Sequence, residues 1–164
     1  MMYNNSYKDK VVLITGHTGF KGSWLTIWLL KLGAKIVGIS KDIPTNPSMF
    51  EALNLKDKIT DHRFNIQNLE RLKAVIKKEE PDYIFHLAAQ ALVSISYSSP
   101  IETITSNTIG TGNLLESIRD YEKDLILILI TSDKAYDNVE WPWGYKATDA
   151  LGGKDIYSGS KAAA

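Results

Sequence analysis

The run Val11-Val12-Leu13-Ile14-Thr15, followed by Gly16, Gly19 and Gly22, constrains this chain more than any other stretch. Five uncharged apolar or β-branched residues predict a buried strand. Three glycines at three-residue intervals then predict a tight turn, and Phe20 to about Leu32, closed by Gly33, reads as a helix. Strand, glycine-rich turn and helix in that order form the opening unit of a dinucleotide-binding α/β sheet. The three glycines have distinct expected roles. Gly16 admits the turn, Gly19 lets backbone approach a pyrophosphate, and Gly22 lets the helix sit close to the strand. The helix N-terminus adds N–H groups and a partial positive charge for phosphate. The spacing is GxxGxxG rather than the commoner GxGxxG, and a turn that binds nothing can carry the same glycines, so the rest of the chain has to decide.

Strands and helical patterns alternate along that rest, without internal repeats. Lys35 to Ile39 predicts a second strand, Ser48 to Leu53 a short helix behind an N-cap serine, and residues 58–66 a third strand. Asn68 caps a helix with Leu69, Leu72, Val75 and Ile76 at helical spacing; Asp82 to Ala89 holds the fourth strand and its turn; Pro100 opens one long helix. Leu125 to Ile130 is an unbroken apolar run, expected as a central parallel strand. The fold class predicted is α/β, a Rossmann-type doubly wound parallel sheet in three α/β/α layers, with residues 1–164 as one NAD-binding domain. The 164 residues suffice for one core. With 19 basic and 19 acidic residues, no broad attraction to nucleic acid or an anionic membrane is expected. The absence of cysteine removes disulfides and thiolate metal sites, and no metal is expected. Met1 to Lys10 lacks the apolar core of a signal peptide, and no run approaches the roughly 18 apolar residues of a membrane span, so a soluble cytoplasmic protein is the expectation.

In a doubly wound sheet ligands gather outside the carboxyl ends of the strands. The candidates are therefore Gly16 to Gly22, Ser40 to Asp42, Asn65 and Ile66, Leu87 to Gln90, and Thr131 to Lys134. Asp42, twenty residues past Gly22 (42 − 22), stands where a carboxylate usually receives the adenosine ribose, although a solvated loop carboxylate fits as well. No arginine lies in that loop to receive a 2′-phosphate, which favours NAD over NADP; Lys41 weakens the preference. Tyr157 and Lys161 are four apart on a predicted helix and share a face. A free phenol titrates near pH 10, so it serves as a base at neutrality only where positive charge stabilises the phenolate. Ser132, Asp133 and Lys134 offer a hydroxyl, a carboxyl and an amine directly after the most apolar strand; a simple turn cap is the alternative. His17 and Lys21 read either as a solvated imidazole and a surface lysine, or as charges beside a pyrophosphate.

Together, GHTGFKGSWL (16–25), HLAAQALV (86–93), Ser106-Asn107-Thr108, TSDKAY (131–136), WPWGY (141–145) and LGGKDIYSGSKA (151–162) resemble the extended short-chain dehydrogenase/reductases, the NAD-dependent epimerase/dehydratase family. Within them the likeness is to the CDP-glucose branch of the sugar-nucleotide 4,6-dehydratases, and it covers nearly the whole chain. The resemblance implies NAD held by Gly16, Thr18, Gly19 and Gly22, with Phe20 and Lys21 beside the pyrophosphate and Asp42 at the ribose. Asn65, where many relatives carry Asp, and Ile66 would flank the adenine; Leu87, Ala88 and Ala89 would line the cofactor crevice; Asn107 would organise the long helix.

The implied catalytic set is Ser132, Asp133, Lys134, Tyr157 and Lys161, the last two also touching the cofactor. The implied reaction oxidises the sugar at C4, removes water across C5 and C6, and returns hydride to C6, giving a 4-keto-6-deoxy sugar. Many dTDP- and GDP-sugar dehydratases carry Glu at the position of Lys134, and a lysine must lose its proton to act as a base. The implied partners are a nucleotide-sugar, CDP-glucose by branch, and further copies in a full-length homo-oligomer, with no nucleic acid and no membrane. Relatives continue past the helix of Lys161 into a smaller substrate domain. The chain is therefore expected to be truncated before that C-terminal domain, to bind NAD weakly and to show no turnover by itself. A nucleotide-sugar 4-epimerase, which would not need Asp133 or Lys134, and a non-catalytic nucleotide-binding module are the alternatives.

Overall fold

The computed structural model describes residues 5–164, which divide into two compact units. The first runs to Ala88 and resumes over Asn113–Ile130; the second holds Ala89–Gly112 and Thr131–Ala164. The α-helices among the described residues are α1 (Phe20–Lys31), α2 (Met49–Ala52), α3 (Leu69–Glu79), α4 (Val93–Ser98), α5 (Pro100–Ile104), α6 (Gly110–Ser117) and α7 (Ile156–Ala163).

The first unit contains the sheet. Strands β1 (Val11–Thr15), β2 (Lys35–Ser40), β3 (Thr60–Arg63), β4 (Tyr83–His86) and β5 (Ile126–Leu129) are all parallel, in the order β3-β2-β1-β4-β5. This is the predicted Rossmann-type doubly wound sheet. Alternation along the strands divides the core in two. Val12, Ile14 and Ile36 meet Leu29 of α1 on one face, while Leu13, Val37, Ile39 and Ile84 pack with Leu72, Val75 and Ile76 of α3 and Leu114 of α6 on the other. Helix starts follow the sequence signals: Ser48 Oγ accepts from Glu51 N (3.2 Å) and Asn68 Oδ1 from Arg71 N (3.0 Å).

Asp82 fixes the entry of β4 beside β1. Its carboxylate accepts from Val11 N (2.8 Å), Lys123 Nζ (3.0 Å) and Lys10 Nζ (3.3 Å). Burial pushes its pKa up, but the Val11 amide and the two ammonium groups outweigh that and hold it below the usual carboxylate value.

Two expectations require correction. The run Leu125–Ile130 is not a central strand among the described residues: β5 stands at one end of their five-stranded sheet, and Ile126 is 53% exposed. An unbroken apolar run reports that both faces of a strand are to be covered, but it carries no information about strand order. The long helix from Pro100 is interrupted by a π-helical turn at Thr105–Ile109, between α5 and α6, and is preceded by the unpredicted α4. A one-residue widening leaves the hydrophobic spacing nearly unchanged, so periodicity does not register it.

In the second unit a 3-10 turn at Asp133–Ala135 packs against α7, and α7 packs against α4 and α5. An antiparallel bridge, Tyr136 with Leu151, closes the intervening loop. Inside that loop Tyr136 stacks on Tyr145 and Trp141 on Trp143, with centroids 5.1 Å and 5.4 Å apart. No helix among the described residues is long and apolar enough to cross a membrane.

Candidate functional site

In the first unit the glycine turn lies at the point where strand order reverses, between the ends of β1 and β4. Gly16 has φ +76°, and a Cβ there would stand 2.8 Å from Ala88 N and 2.9 Å from Leu87 C. The residue is glycine both for its left-handed backbone and because the end of β4 abuts it. A Cβ on Gly22 would collide with the carbonyl oxygen of Gly16 and lie 2.7 Å from His17 Cα, so the helix is pressed onto the turn itself. Gly19 differs. It caps α1 with φ −72°, and beyond its chain neighbours and its own helix the one atom of the described residues near its missing side chain is Gly16 O, at 3.4 Å. Packing does not demand glycine at that position, and the approach to the helix N-terminus is open. The first helical bond runs from Ser23 N to Gly19 O (2.9 Å), so the amides of Phe20, Lys21 and Gly22 precede it. Bare backbone and leading amides are what a dinucleotide pyrophosphate requires, and the residues present fit that group.

Beside the turn is a polar network that sequence reasoning missed. His17 is fully buried, which corrects both of its expected readings: its ring is neither in solvent nor at the pyrophosphate position. Nδ1 meets Ser40 Oγ at 3.0 Å and Nε2 meets Asp61 Oδ1 at 2.9 Å. Burial lowers its pKa against the opposing charge of Asp61. With the ring neutral, the carboxylate at Nε2 and the hydroxyl at Nδ1 select the Nε2–H tautomer. The ring occupies the space over Gly38, where a Cβ would stand 2.5 Å from Cγ and 2.7 Å from Nδ1. Asp61 also accepts from Arg63 Nε (3.0 Å), and Arg63 Nη1 donates to Asp42 O (3.2 Å), which Thr18 Oγ1 reaches as well (2.7 Å).

In the second unit Ser132 caps the 3-10 turn: its Oγ accepts from Lys134 N (3.2 Å) and donates to Asp133 Oδ1 (3.1 Å). Asp133 and Lys134 are exposed. The adjoining α7 is capped by Asp155, whose carboxylate accepts from Ser158 N (2.9 Å) and Ser158 Oγ (2.8 Å). Burial raises the Asp155 pKa, but the Ser158 and Tyr157 donors, with the charge of Lys134, bring it below the usual value. Tyr157 is buried on α7 and Lys161 half-buried one turn later. Asn107, in the π-turn, donates to Ser160 Oγ (2.9 Å) and Gln90 O (3.1 Å) and accepts from Gln90 N (2.8 Å). One buried amide thus joins the segment after Ala89 to α7, and the widened π-turn carries it.

A family model described as GDP-mannose 4,6 dehydratase matches residues 13–164. The chain belongs to the GDP-mannose 4,6-dehydratase family. Among curated relatives, the CDP-glucose 4,6-dehydratase of Salmonella typhimurium is 46% identical over 164 residues, covering 100% of this chain and 46% of that protein. The dTDP-glucose 4,6-dehydratase of Bacillus anthracis, solved with NAD, superposes with TM-score 0.75 at 26% identity, covering 94% of this chain and 47% of the other. The Thermus thermophilus UDP-glucose 4-epimerase, also solved with NAD, gives TM-score 0.77 at 28% identity, covering 93% and 48%. The chain spans under half the length of each of these relatives.

On this dehydratase-family scaffold the expected residues fall into two groups. Gly16, Thr18, Gly19, Phe20, Lys21, Gly22, Asp42, Asn65, Ile66, Leu87 and Ala88 belong to the sheet unit; Ala89, Asn107, Ser132, Asp133, Lys134, Tyr157 and Lys161 belong to the other. Ile66 puts its side chain into the core, and its segment is tied by Asn113 Nδ2, which donates to Gln67 O (2.9 Å). Asn65 Oδ1 accepts from Gln67 N (3.0 Å) and so shapes the turn after β3. Phe20, Lys21 and Leu87 also line an apolar groove of about 560 Å³ along α1, with Trp24 and Trp28.

Proposed function

We propose that this chain supplies the NAD-binding and proton-transfer residues of a sugar-nucleotide 4,6-dehydratase acting on CDP-glucose. The observation that carries the reading is the packing of the Ser132–Asp133–Lys134 turn against the helix of Tyr157 and Lys161, which joins an acid and an amine to a phenol. The 46% identity to the Salmonella CDP-glucose 4,6-dehydratase supports the substrate.

NAD, held at the glycine turn, would supply the hydride acceptor for sugar C4 and the hydride donor for C6. Tyr157, as phenolate, takes the proton of the 4-hydroxyl, and the Lys161 ammonium stabilises that phenolate. Ser132 Oγ donates to the oxygen that becomes the C4 carbonyl. That carbonyl acidifies C5; Lys134 takes the C5 proton and gives it back to C5 when hydride returns to C6. Asp133 gives a proton to the departing C6 hydroxyl, so one water leaves, and the proton held by Tyr157 passes through solvent to restore Asp133. Gly16, Gly19 and the first amides of α1 would hold the NAD pyrophosphate, and the reaction is redox-neutral overall.

The test is mass spectrometry of CDP-glucose incubated with the full-length protein and NAD. The expected product is lighter by one water; an isomer of unchanged mass would indicate epimerisation, and an unaltered substrate would refute enzymatic turnover of this sugar. Lys134→Ala is expected to abolish water loss while leaving NAD binding intact.

A further inference from the structure

We propose that His17 is a positioning residue for the dinucleotide: its neutral ring, acting through Ser40, ties the glycine turn to β2 and β3, and a proton on the ring breaks the tie. The proposal rests on the reading that an adenine dinucleotide occupies the turn.

His17 and Thr18 stand between Gly16, which turns the chain, and Gly19, which caps α1. The main chain here is fixed from both sides. Gly16 N donates to Ile39 O (2.8 Å), Ser23 Oγ donates to His17 O (3.2 Å), and a Cβ on Gly22 would stand 2.7 Å from His17 Cα. Thr18 is tied to β2 and the loop after it: Oγ1 donates to Asp42 O (2.7 Å), and N donates to Ser40 Oγ at the longer distance of 3.4 Å. A serine hydroxyl has a single hydrogen to give. That of Ser40 goes to His17 Nδ1 (3.0 Å), because Nε2 keeps its own hydrogen toward Asp61 (2.9 Å). Donation therefore runs from Thr18 to Ser40, from Ser40 to His17, and from His17 to Asp61. The order holds only while Nδ1 is an acceptor.

Protonation reverses one link. Nδ1 becomes a donor, Ser40 loses its acceptor, and the new N–H competes for oxygens the turn already uses: Ser40 Oγ, which takes Thr18 N, and Ile39 O, which takes Gly16 N. The ring is packed over Gly38 and meets Phe50 edge-on, 5.3 Å between centroids, so the turn rather than the imidazole gives way. The charged groups facing the ring are Asp61 and Arg63, both from β3. β2 presents Gly38 and Ser40, α2 presents Phe50, and α1 presents Gly22 and Ser23, none of them charged. Burial opposes the proton, Asp61 favours it and Arg63 opposes it; burial prevails, which puts the transition below the ordinary imidazole value of about 6.5. A charged ring would by itself attract an anionic pyrophosphate. Buried Asp61, at 2.9 Å, offsets that charge, so the broken hydrogen bonds decide the sign.

Calorimetric titration of the chain with NAD from about pH 8 to about pH 5 tests the proposal, with tryptophan fluorescence confirming the folded state at each pH. The expected Kd is constant at the alkaline end and rises by up to about tenfold per pH unit below the His17 transition, since one proton must leave before the nucleotide binds tightly. His17→Asn is expected to remove the slope and to raise the alkaline Kd about 3- to 30-fold, the range of one or two lost hydrogen bonds. Two neighbours keep the ring and move the transition in opposite directions. Asp61→Asn retains an acceptor for Nε2 without the charge and shifts it to lower pH, whereas Arg63→Gln shifts it to higher pH. Bracing of the turn by packing alone predicts no such opposed shifts. A Kd that stays flat down to the pH of unfolding, or that falls on acidification, would overturn the proposal and leave the cofactor reading standing, as would shifts of both variants in one direction. Absence of NAD binding at every pH would overturn the cofactor reading, and this proposal with it.

Discussion

Gly38→Ala is the sharpest probe of how the turn is built. Gly38 lies in the middle of β2 with no positive φ, so the backbone accepts alanine; the three atoms nearest the added carbon all belong to the His17 ring, at 2.5 Å, 2.6 Å and 2.7 Å. The ring cannot retreat. Asp61 and Ser40 hold its two nitrogens and Phe50 meets it edge-on, 5.3 Å between centroids. Overpacking of a fixed core costs about 1–3 kcal/mol, and the upper half of that range applies here. His17→Ala alone removes both hydrogen bonds and leaves a cavity, for about 2–4 kcal/mol. In the double variant the clash is gone and the new methyl fills part of the cavity, so the combined loss should fall about 1–3 kcal/mol short of the sum. Urea unfolding followed by tryptophan fluorescence on the four proteins measures all three quantities. Additivity within about 0.5 kcal/mol would refute the claim that β2 carries glycine to make room for this imidazole.

Three further outcomes follow from the same geometry. Burial lowers the His17 pKa, so between the folded and unfolded values the unfolded chain binds the extra proton; stability is complete above about pH 6.5 and declines below it by up to about 1.4 kcal/mol per pH unit, and urea midpoints from pH 7.5 to 5 should lose this decline in His17→Asn. Gly16→Ala combines a left-handed backbone with contact against Ala88 N, and thermal unfolding should show a loss of about 2–5 kcal/mol. Asn107→Ala unties Gln90 N and Ser160 Oγ at a cost of about 1–3 kcal/mol, and hydrogen exchange should speed up at the Gln90 amide while β1 amides keep their protection; unchanged exchange at Gln90 would remove Asn107 from its bracing role.

Much of this was legible in the sequence because it is local. Five apolar or β-branched residues before a glycine turn make a buried strand in almost any surroundings, and Ser48 and Asn68 act through bonds to amides three residues on. Family motifs singled out Ser132, Asp133, Lys134, Tyr157 and Lys161 as expectations, and the structure packs the turn of the first three against the helix of the last two. Tertiary structure alone decided what depends on contacts across distant stretches: that β5 pairs with β4 at one end of the described strands is a matter of strand order, which no single strand encodes. Arg63 reaches the carbonyl of Asp42 from another strand, 21 residues further along the chain, a contact the loop's own residues do not announce. His17, between two glycines in a turn that reads as exposed, is buried because Asp61, 44 residues away, supplies the acceptor that makes its burial tolerable. A polar side chain's exposure is set by whether a partner awaits it inside, and that partner is chosen by the fold.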